Sequence, residues 1–362
     1  AVYQLKYMDS VPDSAVCNEA VKLAVKKGFG TLRGFVNGVL RNVARGLDQV
    51  EYPAEGIERL SVVYSMPEWI LKLWKKTYDL DVIESMLQAF QEETPVTIRC
   101  NLAKTTPENL KESLQKEGVT VTPHPYLSYA FWIQDYDHLS ELESFQKGEF
   151  YVQDISSMLV GELADPKKGD RVIDVCAAPG GKALHVAEKL RGTGSVEARD
   201  LSLYKVGLIT ENIERSGLTN IHAVQKDATV CDADVKDAAD LVIADLPCSG
   251  LGVLAKKTDL KYKATEQGTK ELAGLQREIL KNAASYVRPG GTLIYSTCTI
   301  NPAENIENVH WFLKEFPEFV LDPIADRLCS TLQNSVEEAG CLQLLPGIHK
   351  SDGFFIARFG KK

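Results

Sequence analysis

Two cysteines lie where a thiol could act as a nucleophile. Cys248 lies in the run Asp245-Leu-Pro-Cys-Ser-Gly250 and Cys298 in the run Tyr295-Ser-Thr-Cys-Thr299, each just after a short apolar stretch typical of a strand. A cysteine at a strand end is usually a small buried hydrophobic residue. Two of them at one edge of a sheet favour a catalytic pair instead, because a thiolate is a strong nucleophile once nearby positive charge or a dipole lowers its pKa.

The segment from Asp174 to Lys182, Asp-Val-Cys-Ala-Ala-Pro-Gly-Gly-Lys, predicts a tight turn that binds a ligand. A β-branched run predicts a strand over 171–175, and apolar residues at helical spacing predict a helix over 183–190. In an open α/β sheet, ligands bind at the carboxyl ends of the strands, and paired glycines let the backbone approach them. The segment has neither the dinucleotide-binding glycine pattern nor a P-loop.

Three acidic residues are predicted at the carboxyl ends of successive strands, namely Asp200, Asp227 and Asp245. An acid after the second strand of such a sheet commonly binds ribose hydroxyls, and Asp227 could meet an adenine amino group. A single aspartate at a strand end is also a common helix cap. Three at successive strands favour a nucleotide-binding site on the edge that carries the two cysteines.

Five strands with helices between them predict a doubly wound parallel sheet in the second half of the chain. They are predicted over residues 171–175, 195–199, 221–225, 240–244 and 291–296. Two more strands, over 342–345 and 353–359, have no long helix between them and predict an antiparallel hairpin at the edge of the sheet. Upstream, a strand over 96–102, a capped helix over 106–118 and two short strands predict a small α+β module.

The length of the chain predicts its division into domains, and the distribution of charge indicates a candidate phosphate-contacting surface. A chain of 362 residues predicts two or three domains, which we place at 1–56, 57–150 and 151–362. Residues 20–47 contain no acid although the net charge is −9, which favours a surface that contacts phosphates over an ordinary solvated helix face. The basic residues of this surface are Lys22, Lys26, Lys27, Arg33, Arg41 and Arg45.

Composition also argues against several classes of protein. No apolar run is long enough for a membrane span, and no signal peptide opens the sequence. The eight cysteines include no C-x-x-C pair, which argues against a zinc site and against a disulfide framework. We therefore expect a reduced, cytoplasmic protein without a metal or a membrane partner.

Together these motifs resemble those of the S-adenosylmethionine-dependent RNA (cytosine-5) methyltransferases, and most closely the branch that modifies bacterial 16S rRNA. The resemblance extends over nearly the whole chain, since residues 153–157 and 353–357 are similar to the first and last motifs of the catalytic domain. Residues 32–41 are similar to the final helix of a NusB-like RNA-binding domain, whose first helices the chain is expected to lack. The resemblance implies an α/β fold in which a Rossmann-like methyltransferase domain follows a small α+β module and a helical NusB-like domain.

The same resemblance implies a role for each candidate residue, with S-adenosylmethionine as cofactor and RNA, in particular small-subunit rRNA, as substrate. It implies that Cys298 is the nucleophile and that Cys248 helps to release the product. We further expect the Cys298 thiolate to attack carbon 6 of cytosine, and Asp245, when protonated or sharing a proton, to hydrogen-bond ring nitrogen 3 of the base. The residues implied to hold the cofactor are Cys176, Ala177, Ala178, Pro179, Gly180, Gly181, Lys182, Asp200, Lys205, Asp227 and Asp245.

One loop departs from the family. After Gly252 the family usually has two arginines followed by His-Pro-Asp, whereas this chain reads Ala255-Lys-Lys-Thr-Asp259. We expect Lys256, Lys257 and Lys261 to supply the RNA contacts of this loop.

Three alternatives stay open on the sequence alone. The enzyme could act on tRNA or on the amino nitrogen of a base, although Asp-Leu-Pro-Cys differs from the Asp/Asn-Pro-Pro-aromatic turn of amino methyltransferases. The chain could be a non-catalytic RNA-binding assembly factor, although the intact pair of cysteines argues against that. A nicotinamide-dependent oxidoreductase is disfavoured because the glycine fingerprint is missing. Oligomeric state is not implied.

Overall fold

The computed structural model describes the backbone of residues 1–362 and every side chain except that of Glu337. Two units are distinguished by their internal contacts, Ala1–Val63 and Tyr64–Lys362. The finer division predicted at 1–56, 57–150 and 151–362 stays a prediction.

The first unit is helical. Its helices are α1 (Val2–Tyr7), α2 (Asp13–Lys26), α3 (Arg33–Gly46) and α4 (Gly56–Val63). Val16 of α2 and Leu40 of α3 are buried, whereas Phe35 of α3 is exposed. All six basic residues predicted to contact RNA are exposed here. One of them, Lys22, is paired with Glu19 at 2.7 Å.

The first part of the second unit is a small α+β module, as predicted. Its elements are α5 (Glu68–Trp74), α6 (Leu80–Ala89), β1 (Val96–Cys100), α7 (Pro107–Lys116), β2 (Thr120–Pro123), β3 (Ala130–Gln134), α8 (Glu143–Gln146) and β4 (Phe150–Val152). The strands form an antiparallel sheet in the order β2-β3-β1-β4. The Thr106 hydroxyl caps α7 by accepting a hydrogen bond from the N–H of Asn109, which explains why this helix begins where the sequence predicts.

The rest of the second unit is built on a nine-stranded sheet. Its elements are α9 (Ile155–Ala164), β5 (Arg171–Asp174), α10 (Gly181–Lys189), β6 (Ser195–Asp200), α11 (Leu203–Ser216), β7 (Ile221–Gln225), β8 (Ala239–Asp245), α12 (Leu260–Lys263), α13 (Glu266–Tyr286), β9 (Val287–Thr297), α14 (Ile306–Glu315), β10 (Phe319–Leu321), α15 (Ser330–Gln333), β11 (Val336–Glu338), β12 (Cys341–Leu344) and β13 (Phe354–Lys361). The order is β11-β12-β13-β9-β8-β5-β6-β7, with β10 paired to β13. Strands β5 to β9 are parallel to one another, and β13 is antiparallel to β9. The predicted parallel sheet and C-terminal antiparallel pair are both confirmed.

The sheet is buried on both faces, which is why its parallel strands read as short apolar runs. Helices α9, α10 and α11 cover one face, where Met158, Leu184 and Ile209 belong to one apolar cluster. Helices α13 and α14 cover the other face, where Leu280 and Phe312 belong to a second cluster. The loops at the carboxyl edge of the strands are thus held from both sides by packed helices.

One predicted feature of this sheet is wrong, since no α-helix connects β7 to β8. The connection, residues 226–238, contains only one 3₁₀ turn, Ala233–Val235. It carries four aspartates, and short polar side chains bond the nearby backbone and so compete with helix formation. Asp227 is an example, because its carboxylate accepts a hydrogen bond from the N–H of Thr229 at 2.9 Å.

The longest helix, α13, has 21 residues and is amphipathic. Thr265 caps its start by accepting a hydrogen bond from the N–H of Gly268, and its buried side packs against the sheet. Neither α13 nor any other helix in the described part of the chain combines the length and the apolar character needed to cross a bilayer.

Two loops at the carboxyl edge touch backbone to backbone. The N–H of Gly353, before β13, donates to the carbonyl of Gly252, after β8, at 2.8 Å. A Cβ atom added to Gly252 would lie 2.0 Å from the Gly353 carbonyl oxygen. Only glycine therefore fits at residue 252.

We expect Gly252→Ala to lower the free energy of unfolding by about 1–3 kcal/mol, because the added methyl group forces two backbone segments apart. Chemical denaturation measures this change. Gly274→Ala is the matched control, because Gly274 lies in α13 with open space around it. There, replacing glycine in a helix should stabilise the protein by up to about 1 kcal/mol. Equal stability of the two variants would contradict the packing argument.

Candidate active site

Most of the predicted site residues meet at one edge of the sheet, because parallel strands all end there. The turn 176–182 follows β5, Asp200 ends β6, Asp245 ends β8, and Cys298 follows β9. Direct contacts join these loops across the strands, and the following paragraphs give their geometry. Asp227, after β7, lies at the same edge but is exposed.

The two cysteines are in contact. Their sulfur atoms are 3.1 Å apart, and both side chains are half-buried. The backbone holds them together, since the N–H of Leu246 donates to the carbonyl of Ser296 at 3.0 Å and the N–H of Gly252 donates to the carbonyl of Cys298 at 3.1 Å. The predicted catalytic pair is thus one geometric unit.

The two sulfurs differ in pKa. The hydrogen bond with Cys248 lowers the pKa of Cys298 although burial and the nearby Asp245 oppose this, and the nearby Lys182 and Lys257 lower it further. The same hydrogen bond, together with burial, raises the pKa of Cys248 well above its usual range. Cys298 is therefore the sulfur of the pair that loses its proton more readily.

Lys182 and Asp245 form an ion pair beside the cysteines. The ammonium group of Lys182 lies 2.7 Å from Asp245 Oδ2 and 3.2 Å from the hydroxyl of Ser157. Burial alone would lower the pKa of Lys182, but the Asp245 carboxylate outweighs burial and raises it. The other Asp245 oxygen accepts a hydrogen bond from the Ser296 hydroxyl at 2.7 Å. Lys182 is therefore a fixed positive charge between the turn 176–182 and the end of β8.

The turn 176–182 is held open by backbone geometry. Gly180 has a φ of +106°, which favours glycine, and α10 begins at the next residue. The first N–H groups of a helix have no partners inside it and point toward a bound anion or polar ligand. Asp200 accepts a hydrogen bond from the N–H of Ala178 at 3.0 Å and lies 3.1 Å from Lys205 Nζ.

Two residues near this turn have raised pKa values, in contrast to the predicted nucleophile Cys298. Burial raises the pKa of the Cys176 thiol, so Cys176 stays protonated. Burial and the nearby Asp245 raise the pKa of Asp174 to about 7, and its Oδ2 atom has no hydrogen-bond partner among the described residues. Asp174 thus adds an unpaired polar oxygen to the interior side of the turn.

A buried carboxylate that the sequence did not predict holds the two cysteine loops together. Glu304 Oε2 accepts a hydrogen bond from the N–H of Ser249 at 2.8 Å and from Gln276 Nε2 at 3.1 Å. Its Oε1 accepts from the Ser249 hydroxyl at 2.6 Å and from Asn301 Nδ2 at 2.9 Å. The Ser249 hydroxyl also contacts the Thr299 hydroxyl at 2.9 Å. Residues next to both cysteines are therefore tied to a single side chain.

The predicted RNA-contacting lysines of the loop after β8 differ in their surroundings. Lys256 Nζ lies between Asp154 at 2.9 Å and Asp352 at 2.7 Å, so its charge is compensated. Burial and the nearby Asp154 raise the pKa of Asp352 to about 7. Lys257 is exposed and contributes to the low pKa of Cys298. Lys261 lies over the ring of Tyr262, with its ammonium 5.2 Å from the ring centroid.

Metal chemistry finds no support at this edge. Among the described side chains, no cluster of three or more His, Cys, Asp or Glu residues is arranged to hold a metal ion. The polar groups of the site are instead paired with one another, as Lys182 is with Asp245 and Lys205 with Asp200.

We expect Glu304→Gln to lower the free energy of unfolding by about 2–3 kcal/mol, because an amide N–H₂ would face two of the present donors. Denaturant titration measures this loss. Glu307→Gln is the control, because Glu307 is exposed on α14 and its change should stay within about 0.5 kcal/mol. If the two variants were equally stable, the buried network would not hold the loops.

We expect iodoacetamide to alkylate Cys298 at a lower pH than it alkylates an ordinary thiol. Peptide mass spectrometry of samples alkylated over a pH series measures the midpoint. In Cys248→Ala the alkylation midpoint should rise, because removal of the S–H donor destabilises the Cys298 thiolate and so raises its pKa. Cys248→Ser keeps a hydroxyl donor and should give a smaller rise. An unchanged midpoint in Cys248→Ala would show that the two sulfurs do not share a proton.

Comparison with known proteins gives three family matches in order along the chain. Residues 1–45 match the NusB family, residues 66–136 match the ferredoxin-like domain of RsmF/B-like methyltransferases, and residues 162–360 match the family described as 16S rRNA methyltransferase RsmB/F.

Individual relatives agree with these matches. The chain is 37% identical over 365 residues to a probable ribosomal RNA small subunit methyltransferase B of Bacillus subtilis. The matched region covers 100% of this chain and 81% of the relative. The solved structure of PH0851 has a TM-score of 0.82 and 28% identity, over 96% of this chain and 77% of that one. NSun6 from Pyrococcus horikoshii, solved with SFG, has a TM-score of 0.73 and 25% identity, over 83% of this chain and 99% of that one. The chain therefore belongs to the RsmB/F family of S-adenosylmethionine-dependent rRNA methyltransferases, with a NusB-family segment at residues 1–45.

Proposed function

We propose that the protein methylates carbon 5 of a cytosine in 16S rRNA through a covalent bond between Cys298 and carbon 6 of that base. The observation that supports this most is the contact of the two sulfurs at 3.1 Å, in which Cys298 has the lowered pKa. A methyltransferase that needed no covalent step would have no use for a thiolate beside a second thiol at the edge where ligands bind.

The covalent step solves a chemical problem. Carbon 5 of cytosine is a poor nucleophile while the ring is conjugated. When the Cys298 thiolate bonds to carbon 6, the electrons of the 5,6 double bond become available at carbon 5, which then resembles an enamine carbon. Because the base must leave its stack to be reached from both sides, an unpaired RNA segment is the expected substrate.

The residues at the carboxyl edge suit a nucleoside cofactor. The turn from Cys176 to Lys182 offers helix-start N–H groups, and the acids Asp200 and Asp227 can accept hydrogen bonds from ribose hydroxyls and an adenine amino group. Lys205 sets the position of the Asp200 carboxylate. S-adenosylmethionine, when bound, supplies an electrophilic methyl group for carbon 5.

Asp245 faces the base in this proposal. Its carboxyl group shares a proton with the Lys182 ammonium and hydrogen-bonds ring nitrogen 3, which stabilises the charge that develops when carbon 6 is attacked. The 2.7 Å contact between Lys182 and Asp245 supports this role, because a proton donor is already in place. The Ser296 hydroxyl fixes the second carboxyl oxygen and with it the plane of the group.

Cys248 acts at the end of the reaction. In the resting pair its pKa is raised first by the hydrogen bond to Cys298, and also by burial and by the charge of Cys298. Once the Cys298 sulfur is bonded to carbon 6, it carries no negative charge, and two of these three causes disappear. Cys248 then loses its proton to solvent more readily, and the thiolate so formed can remove the proton from carbon 5. The electron pair of that C–H bond restores the double bond, and the Cys298 thiolate leaves.

The other regions bind RNA in this proposal. Residues 1–56 form a helical RNA-binding domain with the exposed basic residues of α2 and α3, and residues 57–150 form a module that holds RNA beside the catalytic domain, 151–362. Lys257 and Lys261 contact the phosphates next to the target base, since both lie in the loop that follows Cys248. The NusB-family match and the 16S rRNA methyltransferase match support RNA as the partner.

We expect Cys298→Ala to reduce methyl transfer to 16S rRNA by about 10⁴-fold or more, because the variant lacks the nucleophile. Cys248→Ala should instead accumulate a covalent RNA adduct that survives denaturing electrophoresis, because bond formation proceeds but release does not. Transfer of radioactive methyl groups from S-adenosylmethionine, followed by bisulfite sequencing of the RNA, measures the loss in Cys298→Ala. Denaturing electrophoresis measures the adduct in Cys248→Ala.

Cys329→Ser is the matched control, because Cys329 is half-buried in the apolar cluster on one face of the sheet and should leave transfer unchanged. Calorimetry should show that Cys298→Ala still binds S-adenosylmethionine. Undiminished methyl transfer by Cys298→Ala would contradict the nucleophile assignment. If calorimetry of the wild-type protein showed no heat of binding for S-adenosylmethionine although the protein binds RNA, the proposal that it is a methyltransferase would be contradicted.

A further inference from the structure

A cavity of about 390 Å³ opens beside the catalytic loops and takes no part in the mechanism described above. One wall comes from the α+β module and includes Trp132 of β3 and Phe90 after α6. The opposite wall comes from the loops after β8 and before β13, and includes Lys256, Lys350 and Asp352. The first wall therefore carries two aromatic rings beside polar side chains such as Glu92, and the second carries lysines and a carboxylate.

The cavity is connected to the reacting sulfur by a short path through the backbone. Asp352 in its wall precedes Gly353, whose N–H donates to the carbonyl of Gly252 at 2.8 Å. The N–H of Gly252 in turn donates to the carbonyl of Cys298 at 3.1 Å. The wall of the cavity and Cys298, the residue proposed to bond the target base, are therefore linked by only two backbone hydrogen bonds.

The aromatic wall suits a nucleobase. Trp132 is half-buried, so part of its indole surface faces the cavity. The ring of His124 packs against it with centroids 4.4 Å apart, which fixes the plane of the indole. Single-stranded RNA is commonly bound by stacking bases on aromatic side chains held beside positive charge. Lys350 provides that charge, with its ammonium 5.9 Å from the Trp132 ring centroid.

The charged wall suits the edge of a base. Lys256 bonds both Asp154 and Asp352, so its positive charge offsets one of the two carboxylates and the wall keeps carboxylate oxygens. Carboxylate oxygens accept hydrogen bonds from the exocyclic amino groups of nucleobases. The exposed side chain of Lys350 is long enough to place its ammonium at a phosphate on the open side of the cavity.

We propose that this cavity binds one nucleotide that neighbours the target cytosine, with its base stacked on Trp132, its amino edge toward Asp352 and its phosphate at Lys350. The inference rests on the proposed function for the identity of the target, since the cavity would read the sequence beside it. Trp132 is thus an RNA-binding residue that does not contact the reacting atoms, and Asp352 is the one that distinguishes a base with an amino edge.

The test measures the binding of a short fluorescent single-stranded RNA with one central cytosine by anisotropy. Trp132→Leu should raise the Kd roughly 5- to 100-fold, the range expected for one lost stacking contact. Trp132→Phe keeps an aromatic face and should restore most of the affinity. Trp311→Leu is the matched control, because Trp311 is also half-buried under a lysine, with Lys281 Nζ 5.8 Å from its ring, and lies outside the cavity. Its Kd should not change.

Abasic substitutions in the RNA identify the stacked base. Replacing one neighbour of the central cytosine by an abasic site should weaken binding to the wild-type protein but not to Trp132→Leu, because the same contact is already lost. Lys350→Gln, a surface change that leaves the fold intact, should weaken binding and reduce the slope of log Kd against log salt by about one. The proposal would be overturned if Trp132→Leu and wild type had equal Kd values. It would also be overturned if the abasic site weakened binding equally in both proteins.

Methyl transfer on the same RNAs separates the two proposals. If the Kd pattern holds while no methyl group is transferred to cytosine, the cavity assignment stands and the proposed reaction fails. If methyl transfer occurs with the same KM for RNA in Trp132→Leu and in wild type, the reaction stands and the cavity assignment fails.

Discussion

The carboxylate of Glu304 is the constraint on which the site depends. It is fully buried, and each of its oxygens accepts two hydrogen bonds. A buried charge is tolerated only when it is bonded in this way, so the groups that bond it cannot move independently. Two of its bonds come from Ser249, next to Cys248, and another comes from Asn301, three residues after Cys298. The distance between the two sulfurs is therefore set by a side chain that touches neither.

That geometry has an electrostatic result. Two thiols in contact can share one negative charge, and its place depends on which sulfur donates. Lys182 and Lys257 lie on the side of Cys298, whereas Glu304 lies on the side of Cys248 and raises its pKa. The largest effect is the hydrogen bond between the sulfurs, which lowers the pKa of Cys298 and raises that of Cys248. The buried acid that holds the loops adds to this difference by raising the pKa of Cys248 further.

Much of this could be predicted from the sequence, because strand order and strand ends follow from local patterns. The turn after β5, the acids after β6 and β8, and both cysteines lie at one edge simply because parallel strands share their direction. Glu304 could not be predicted, since the run Asn301-Pro-Ala-Glu-Asn305 has the composition of a solvated turn and only its tertiary contacts bury it. The ion pair between Lys256 and Asp154 could not be predicted either, because the two residues are 102 positions apart in the sequence. The helix wrongly predicted before β8 shows the reverse case, in which local bonding by aspartates prevails over the expected pattern.

The place of β13 in the sheet has a consequence for biosynthesis. This strand is made after β9 and β12 but lies between them, where Ile356 pairs with Ser296 and with Leu342. While the ribosome is still synthesising residues before 354, β9 lacks a neighbour on that side and the loop carrying Cys298 lacks its support. The loop that carries Cys298 therefore gains its full support only after residues 354–361 of β13 have been made, whereas β5, β6 and β8 have all been synthesised by then.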